Sequence, residues 1–477
     1  MPEWAVSMSG VLLGMGNPLL DISNNVDQAV FDKYEIKPGD AILAEEKHQP
    51  LFKELAEKEG VQYIAGGATQ NSIRVAQWML QKKNATSYMG CIGKDADGDK
   101  LKEVVVKDGV NGVYMIDEGT PTGTCACCIM GKERSLVTNL SAANNYKVDH
   151  LKEADNMAIL EKAKVVYSAG FFMTVSPDAM EIAATHCNKE GKTYCLNLSA
   201  PFLMEVPPFK ATLMKLLPYV DFLFGNETEA ATFAKTEGWT ETDTKAIALK
   251  LAALPKEGET PRTVVITQGA DPTIVVISGE AKEYPIIKLP PSKLVDTNGA
   301  GDAYVGGFLS GLVQGKDTHF CCQAGSYAAS VIVQRSGCTF PATPKFAYRP
   351  PQKPKPLKKP KFTSVSKIQP DGTGLNLMVK VTGSGTAVGD FTEFICGDST
   401  GLVTFSAKED QKSVFTEGAV LRVQNAKVLM VKGFIRVVID KWAVVAAAAE
   451  DTPGGIPEIT VSEEVDVSKT EYELTDA

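Results

Sequence analysis

Short apolar runs alternate with amphipathic stretches through the first 344 residues. Val11–Leu13, Val165–Tyr167, Thr193–Leu198, Phe222–Phe224 and Thr263–Thr267 have the length and β-branched or aromatic content of strands. Between them, residues 70–82, 176–190 and 242–254 repeat apolar positions at helical spacing. Strands alternating with such helices predict βαβ units around a parallel sheet, a Rossmann-type α/β core. Ligands of such sheets bind beyond the carboxyl ends of the strands, so the loops after these runs are where chemistry is expected. From 362 to 447 the pattern changes. Leu375–Val381, Phe391–Cys396, Val403–Ala407, Val420–Val423 and Ile435–Asp440 alternate with turn signals and no helical period, which predicts a small all-β barrel.

Charge sharpens the boundary between these regions. Residues 345–361 carry seven Lys or Arg, five prolines and no acid, and are read as an extended basic linker. Residues 448–477 hold nine acids against Lys469 alone and are read as a disordered acidic tail. The whole chain of 477 residues is 44% hydrophobic and 22% charged, with net charge −9, so it is globular rather than wholly disordered. No apolar run approaches the ~18 residues of a membrane span, and Met1-Pro-Glu-Trp4 lacks the features of a signal peptide. The ten cysteines are sparse for a chain this long, Cys125-Ala-Cys127-Cys128 lies in a β-like run and Cys321-Cys322 in a helix-like one, and the four histidines are scattered. Together these predict reduced thiols and no membrane contact, in the cytoplasm and also the nucleus; a monomer is expected as well.

The strongest motif is Asp296-Thr-Asn-Gly-Ala-Gly-Asp302, which opens a helix with apolar Val305, Phe308, Leu309 and Leu312. The N–H groups of Gly299, Ala300 and Gly301 would form an anion hole at the positive end of that helix. Asp302, in the first turn, is placed for a general base, its ionised form favoured by the helix dipole. A glycine turn with an acidic cap explains the same letters when they stand alone. Gly14-Met-Gly16-Asn17-Pro-Leu-Leu-Asp21 follows the first strand, and Asp21 could accept from two neighbouring hydroxyls. Gly66-Gly67 precede a helix bearing Asn71 in its first turn. Asn226-Glu227-Thr-Glu229 follows a buried run and suits magnesium, through water, or a plain helix cap. Thr267-Gln-Gly269 ends another strand and could offer N–H groups to phosphates.

These motifs, in this order, resemble the ribokinase-like PfkB carbohydrate kinases along essentially all of residues 8–344. The similarity is strongest to the eukaryotic branch acting on adenosine. It rests on GNPLLDIS (16–23), AGGATQNSIRVAQWML (65–80), GTCACCI (123–129), RSLVTNLSAAN (134–144), SAGFFMTVSP (168–177), NLSAPF (197–202), FGNETEA (224–230), DTNGAGDAYVGGFL (296–309) and SGCTFP (336–341).

The resemblance implies transfer of a phosphoryl group from ATP to the 5′-hydroxyl of adenosine, with Mg²⁺ and, as in the family, a monovalent cation. It implies Asp302 as base and the Gly299–Gly301 amides as phosphoryl cradle, with Arg134 reaching the ATP phosphates when a small β lid closes. The lid is expected mainly from parts of 17–65 and 115–142. Asn17, Asp21, Gly66, Gly67 and Asn71 would hold the ribose, and Leu19, Leu43, Cys125, Leu136, Leu140 and Phe172 the adenine. Asn226, Glu229, Thr267, Gly269, Asn298 and Ser326 would serve ATP, with Glu229 also serving the metal. Ser326 departs from the histidine expected there. Rival readings are a PfkB kinase for another nucleoside or sugar, and a nucleic-acid-binding or interaction protein that keeps the kinase scaffold.

The barrel region resembles small plant-type OB proteins related to the SOSS-B single-strand binders. The resemblance lies in Gly397-Asp-Ser-Thr-Gly401-Leu-Val-Thr-Phe405, Glu417-Gly418-Ala-Val, Lys432-Gly433-Phe-Ile-Arg436, Asp440-Lys-Trp442 and Glu471-Tyr-Glu-Leu474. It implies single-stranded nucleic acid, or else a protein, as partner. Stacking and phosphate candidates are Phe394, Phe405, Phe434, Trp442, Lys408, Lys427, Lys432 and Arg436, although most of these aromatics would equally fill a barrel core.

Overall fold

A computed structural model describes residues 8–37, 41–130, 133–350, 360–440, 442–449 and 456–473. The chain divides into two compact units, Met1–Gln352 and Lys353–Ala477.

The first unit is built on a nine-stranded sheet. Its order is Glu280–Tyr284, Asp271–Ile277, Thr263–Gln268, Phe222–Asn226, Thr193–Asn197, Val165–Ala169, Leu12–Met15, Thr86–Gly93 and Asn111–Asp117. Seven neighbouring strands, from Thr263–Gln268 to Asn111–Asp117, run parallel, and two hairpin strands close one edge. Alternate side chains feed two cores: Leu13, Met15, Val166 and Leu196 join one, and Leu12, Val165, Tyr167 and Cys195 the other. That is why these strands read as unbroken apolar runs. The expected helices are present as Ala68–Leu80, Pro177–Lys189 and Thr244–Ala253.

A second sheet orders Ala41–Leu43, Glu133–Asn139, Thr124–Met130, Leu19–Asn25 and Gln62–Gly66. One face packs Ile22, Ala126, Cys128 and Val137 against Phe31, Leu51 and Leu55 of the helices Gln28–Tyr34 and Gln49–Glu57. By alternation, Leu19, Asp21, Cys125, Cys127, Arg134 and Leu136 fall on the opposite face. This sheet is the β lid.

The beginning of the expected linker is not a free spacer. Lys345 N–H donates to the Tyr327 hydroxyl at 2.6 Å, and Arg349 N–H to Gln323 Oε1 at 2.9 Å. Phe346 and Tyr348 pack on Phe320 of the helix Thr318–Ile332. Aromatic rings between the basic residues supply apolar area that a charge count overlooks. The rest of the expected linker, 351–359, lies outside the described residues.

The second unit is a closed barrel. Strands Leu375–Val381, Phe391–Asp398, Gly401–Ala407, Phe434–Val438 and Val420–Val431 pair in that order, the last returning to the first. Gly401–Ala407 and Phe434–Val438 run parallel and share only the rungs Phe405–Val437 and Ser406–Val438. This five-strand topology is the OB fold. The expectation of a disordered tail fails over 456–473. Asp466 bridges to Leu402 and Glu471 to Phe434. Val467 enters the barrel core and Tyr472 packs against it, while Glu463 and Glu464 stay exposed. A few inward side chains on an extended segment hold it, although its average composition is that of a solvated tail.

Candidate active site

The carboxyl ends of the parallel strands and the mouth of one helix converge on a cavity of about 160 Å³. Gly225, Asn226, Glu229, Thr267, Gly299, Gly301 and Asp302 line it, so residues from three separate motifs meet there. Gly299 caps the helix Ala300–Leu312 with φ +78°, a conformation only glycine adopts cheaply. A Cβ built on Gly301 meets nothing within 4 Å, so the first turn faces open space. The backbone amides there are unencumbered by side chains, as a phosphate cradle requires.

Asp302 sits in that first turn and accepts a hydrogen bond from Asn71 Nδ2 at 3.0 Å. Ser72 Oγ donates to the Asp302 carbonyl at 3.0 Å, pinning the turn to the neighbouring helix. Burial pushes the Asp302 carboxyl up to about 7; the Asn71 hydrogen bond opposes this, and the charges of Asp21 and Glu229 add to it. Burial thus works against the helix dipole, which favours the ionised form. The net rise leaves a carboxylate basic enough to take a proton near neutrality.

Asp21 lies on the lid sheet. Burial raises its carboxyl to about 6, with Arg134 as the main opposing influence. Gly66 and Gly67 are dictated by this neighbourhood. A Cβ on Gly66 would stand 2.3 Å from Asp21 Oδ1, and one on Gly67, at φ +91°, 2.2 Å from the Asn17 carbonyl oxygen. Asn17 Oδ1 and Asn71 Oδ1 are buried without a protein partner, leaving two acceptors beside Asp21 and Asp302. Buried acceptors without partners are costly unless a ligand completes them.

Arg134 does not face the phosphate cradle in this structure. Its Nη1 donates to Asp296 Oδ2 at 2.8 Å, its Nη2 to Cys127 Sγ at 3.0 Å, and Asp21 Oδ2 lies 3.7 Å away. Asp296 also accepts from Gly337 N–H and Asn298 N–H, so it fastens the glycine loop and the lid to one another. Oxygen and sulfur atoms of Asp21, Cys125 and Cys127 lie within 4.8 Å of one another, but the guanidinium already satisfies this cluster.

Glu229 and Asn226 form a reciprocal cap. Glu229 Oε2 accepts from Asn226 N–H and Oε1 from Asn226 Nδ2, each at 2.9 Å. Thr267 lines the cavity, and Gly269 turns at φ +54° with open space where a Cβ would stand. Asn298 is exposed on the glycine loop. Ser326 is buried, its Oγ accepting from Ile287 N–H at 2.7 Å, so it fastens a loop instead of facing the cavity.

Of the expected apolar slot, Leu19, Cys125 and Leu136 share the inner lid face, and Leu43, paired at the sheet edge with Thr138, is 65% exposed. Leu19 and Leu140 both approach Gly123. Phe172 is placed differently from expectation. It is fully buried in the core, edge-on to Tyr146 at 5.4 Å, whereas Phe171 lines the cavity. The short helical turn Gly170–Thr174 sends adjacent rings in different directions, which a sequence match cannot apportion. Asn197 and Ser199 also line the cavity and were not singled out. Ser199 holds φ +65°, donates its N–H to Asn197 Oδ1, and accepts Gly170 N–H on Oγ. An Asn two residues before a Ser at a strand end is the turn signal that would have found them.

The barrel sorts its own candidates. Phe405 and Phe394 are core residues packed on Phe415. Arg436 Nε donates to Glu393 at 2.7 Å, and Lys427 pairs with Asp440 at 3.3 Å. Phe434 is half-buried, whereas Lys408, Lys432 and Trp442 are exposed.

Comparison with known proteins agrees with this geometry. The profile of the pfkB family carbohydrate kinases matches residues 30–345. A profile described as single-stranded DNA binding protein Ssb-like, OB fold, matches 368–447. Adenosine kinase 1 of Arabidopsis thaliana is 57% identical over 338 residues, covering 71% of this chain and 98% of that protein. The adenosine kinase of Dictyostelium discoideum is 45% identical over 340 residues, covering 71% of this chain and 98% of its own length. Among solved structures, Anopheles gambiae adenosine kinase in complex with P1,P4-di(adenosine-5) tetraphosphate superposes with a TM-score of 0.66 at 46% identity, covering 71% of this chain and 99% of that one. The chain belongs to the pfkB family of carbohydrate kinases, in the branch formed by the adenosine kinases.

Proposed function

We propose that the first unit transfers the terminal phosphoryl group of ATP to the 5′-hydroxyl of adenosine, giving AMP and ADP. The observation that carries this reading is the Asn71–Asp302 hydrogen bond, which joins a ribose-holding helix to the base at the mouth of the phosphate cradle. Asn17, Asp21 and Asn71 hold the ribose hydroxyls, and Asp302 takes the proton of the 5′-hydroxyl as the phosphorus–oxygen bond forms. The Gly299–Gly301 amides meet the charge on the transferring phosphoryl oxygens. Arg134 turns from Asp296 toward those oxygens as the lid closes, trading one anionic partner for another. The inner lid face and Phe171 give the purine an apolar surround.

Thr267, Gly269 and Asn226 serve the ATP phosphates. The cavity's donors near Glu229 are oxygen and amide groups, the set a hard divalent cation takes, and each Glu229 oxygen keeps a lone pair beyond its bond to Asn226. Glu229 would hold Mg²⁺, which when bound would supply positive charge to neutralise the phosphates. For the second unit we propose single-stranded nucleic acid as ligand. Its match to the Ssb-like profile supports this, together with exposed Lys408, Lys432 and Trp442.

Asp302→Asn keeps the shape of the site and removes the base. Adenosine binding measured by calorimetry is expected to stay within about threefold of wild type, while kcat falls by roughly 10³-fold. Turnover near the wild-type rate would remove Asp302 from the base role.

A further inference from the structure

The residues expected to meet nucleic acid on the barrel and the acidic segment of the same chain lie against one another. Tyr472 N–H donates to the Gly433 carbonyl at 2.8 Å, and Glu471 bridges Phe434. A Cβ on Gly433 would come within 3.4 Å of the Glu471 side chain. Arg436 Nη1 reaches the Ser468 carbonyl at 3.4 Å. Thus Phe434 and Arg436, chosen as base and phosphate contacts, and Gly433 beside the chosen Lys432 border a segment that also carries Glu463, Glu464, Asp466 and Glu473.

The segment is seated by main-chain and side-chain hydrogen bonds to the hairpin formed by Phe391–Asp398 and Gly401–Ala407. Leu402 N–H donates to the Val465 carbonyl at 2.7 Å, Thr404 N–H to Ser468 Oγ at 2.8 Å, and Ser462 N–H to the Asp398 carbonyl at 3.0 Å. A Cβ on Gly401 would lie 2.6 Å from the Val465 oxygen. Because Gly401–Ala407 and Phe434–Val438 share only two rungs, the outer parts of both strands have unpaired edges, and the segment fills that seam.

We infer that residues 461–473 act as a built-in competitor for the barrel's nucleic-acid edge. A negatively charged segment, extended on either side of the 3-10 turn Val467–Lys469, occupies the place, and presents the sign of charge, that a single-stranded phosphate backbone would bring. Binding a strand across Lys432, Phe434 and Arg436 requires this segment to leave, so the closed barrel binds weakly and the opened one tightly. This rests on the single-strand reading above. It adds that access to the edge is controlled from within the chain.

The test uses the full chain and a fluorescent oligo-deoxythymidine of about 20 nucleotides. Glu463→Gln, Glu464→Gln, Glu471→Gln and Glu473→Gln combined should bind it at least about tenfold more tightly than wild type at low salt, the gap narrowing as salt rises. Charge alone would give part of that effect, so amide exchange supplies the second readout. Saturating oligonucleotide should accelerate exchange at Leu402, whose N–H loses the Val465 carbonyl of the tail, and at Tyr472, whose N–H loses the Gly433 carbonyl of the barrel. Binding with unchanged protection at both amides overturns the competitor and leaves the single-strand reading intact. If neither wild type, the neutralised variant nor a chain ending at residue 455 binds, the single-strand reading falls and the competitor with it. A thermal unfolding scan of the shortened chain verifies that its barrel is folded in that comparison.

Discussion

The mouth of the helix Ala300–Leu312 and the outer surface of the C-terminal barrel were both read as ligand sites, and they differ in what holds their residues in place. At the helix mouth the key side chains are polar, partly or wholly buried, and incompletely satisfied: Asp302 has one side-chain partner, and Asn17 and Asn71 have bare acceptors. Packing alone does not satisfy such groups, which call for a partner from outside the chain, a ligand or ordered water. On the barrel, two of the chosen rings complete a core and the chosen arginine is already paired with Glu393. Polar residues in a strand-end loop thus carry information about function that aromatic residues in a small barrel do not, because a ring can serve packing and stacking alike.

That contrast can be broken in order of effect. Phe405→Ala empties a fully buried position between strands, and should cost the barrel about 3–5 kcal/mol while leaving adenosine phosphorylation unchanged. A parallel loss of kinase activity, read against a calorimetric scan, would show that the units are not independent. Asp296→Ala takes the nearer of two carboxylates from buried Arg134 and leaves the Asn298 and Gly337 amides without their acceptor, and should cost the first unit about 2–4 kcal/mol, seen as an earlier thermal transition. Gly66→Ala drives a methyl group into the Asp21 carboxylate and should raise the KM for adenosine by about tenfold or more, with a smaller change in kcat. An equal fall in kcat with KM unmoved would place Asp21 away from the ribose. Trp442→Ala, at a position 70% exposed, should shift barrel stability by no more than about 0.5 kcal/mol. A larger loss would make that ring structural like Phe405.

Much of the first unit was legible because its signals are local. A fully buried parallel strand must be apolar throughout, a helix mouth that approaches phosphate needs glycine, and both are written in adjacent residues. The Asp302–Asn71 contact joins residues 231 apart in sequence and became readable only through the order of the motifs. Phe171 and Phe172 show the limit, since the direction each ring takes is set by Tyr146 and the core around it. Ser326 was expected near the nucleotide yet spends its hydroxyl on the Ile287 amide, a long-range partner with no sequence mark. In the second unit the strands were legible from alternation, but the docking of 456–473 was not. Its seat is a seam between two strands, and seams exist only after the barrel closes.

The central claim is that burial makes Asp302 a base matched to neutral pH, and the acidic limb of kcat/KM for adenosine tests it most directly. A carboxylate raised to about 7 must be ionised to act, so kcat/KM should rise with pH through an apparent pKa near that value and then level. Asn71→Ala removes the hydrogen bond that favours the ionised form and should move the limb to higher pH. A profile already flat from about pH 5 upward, unmoved by Asn71→Ala, would contradict the account.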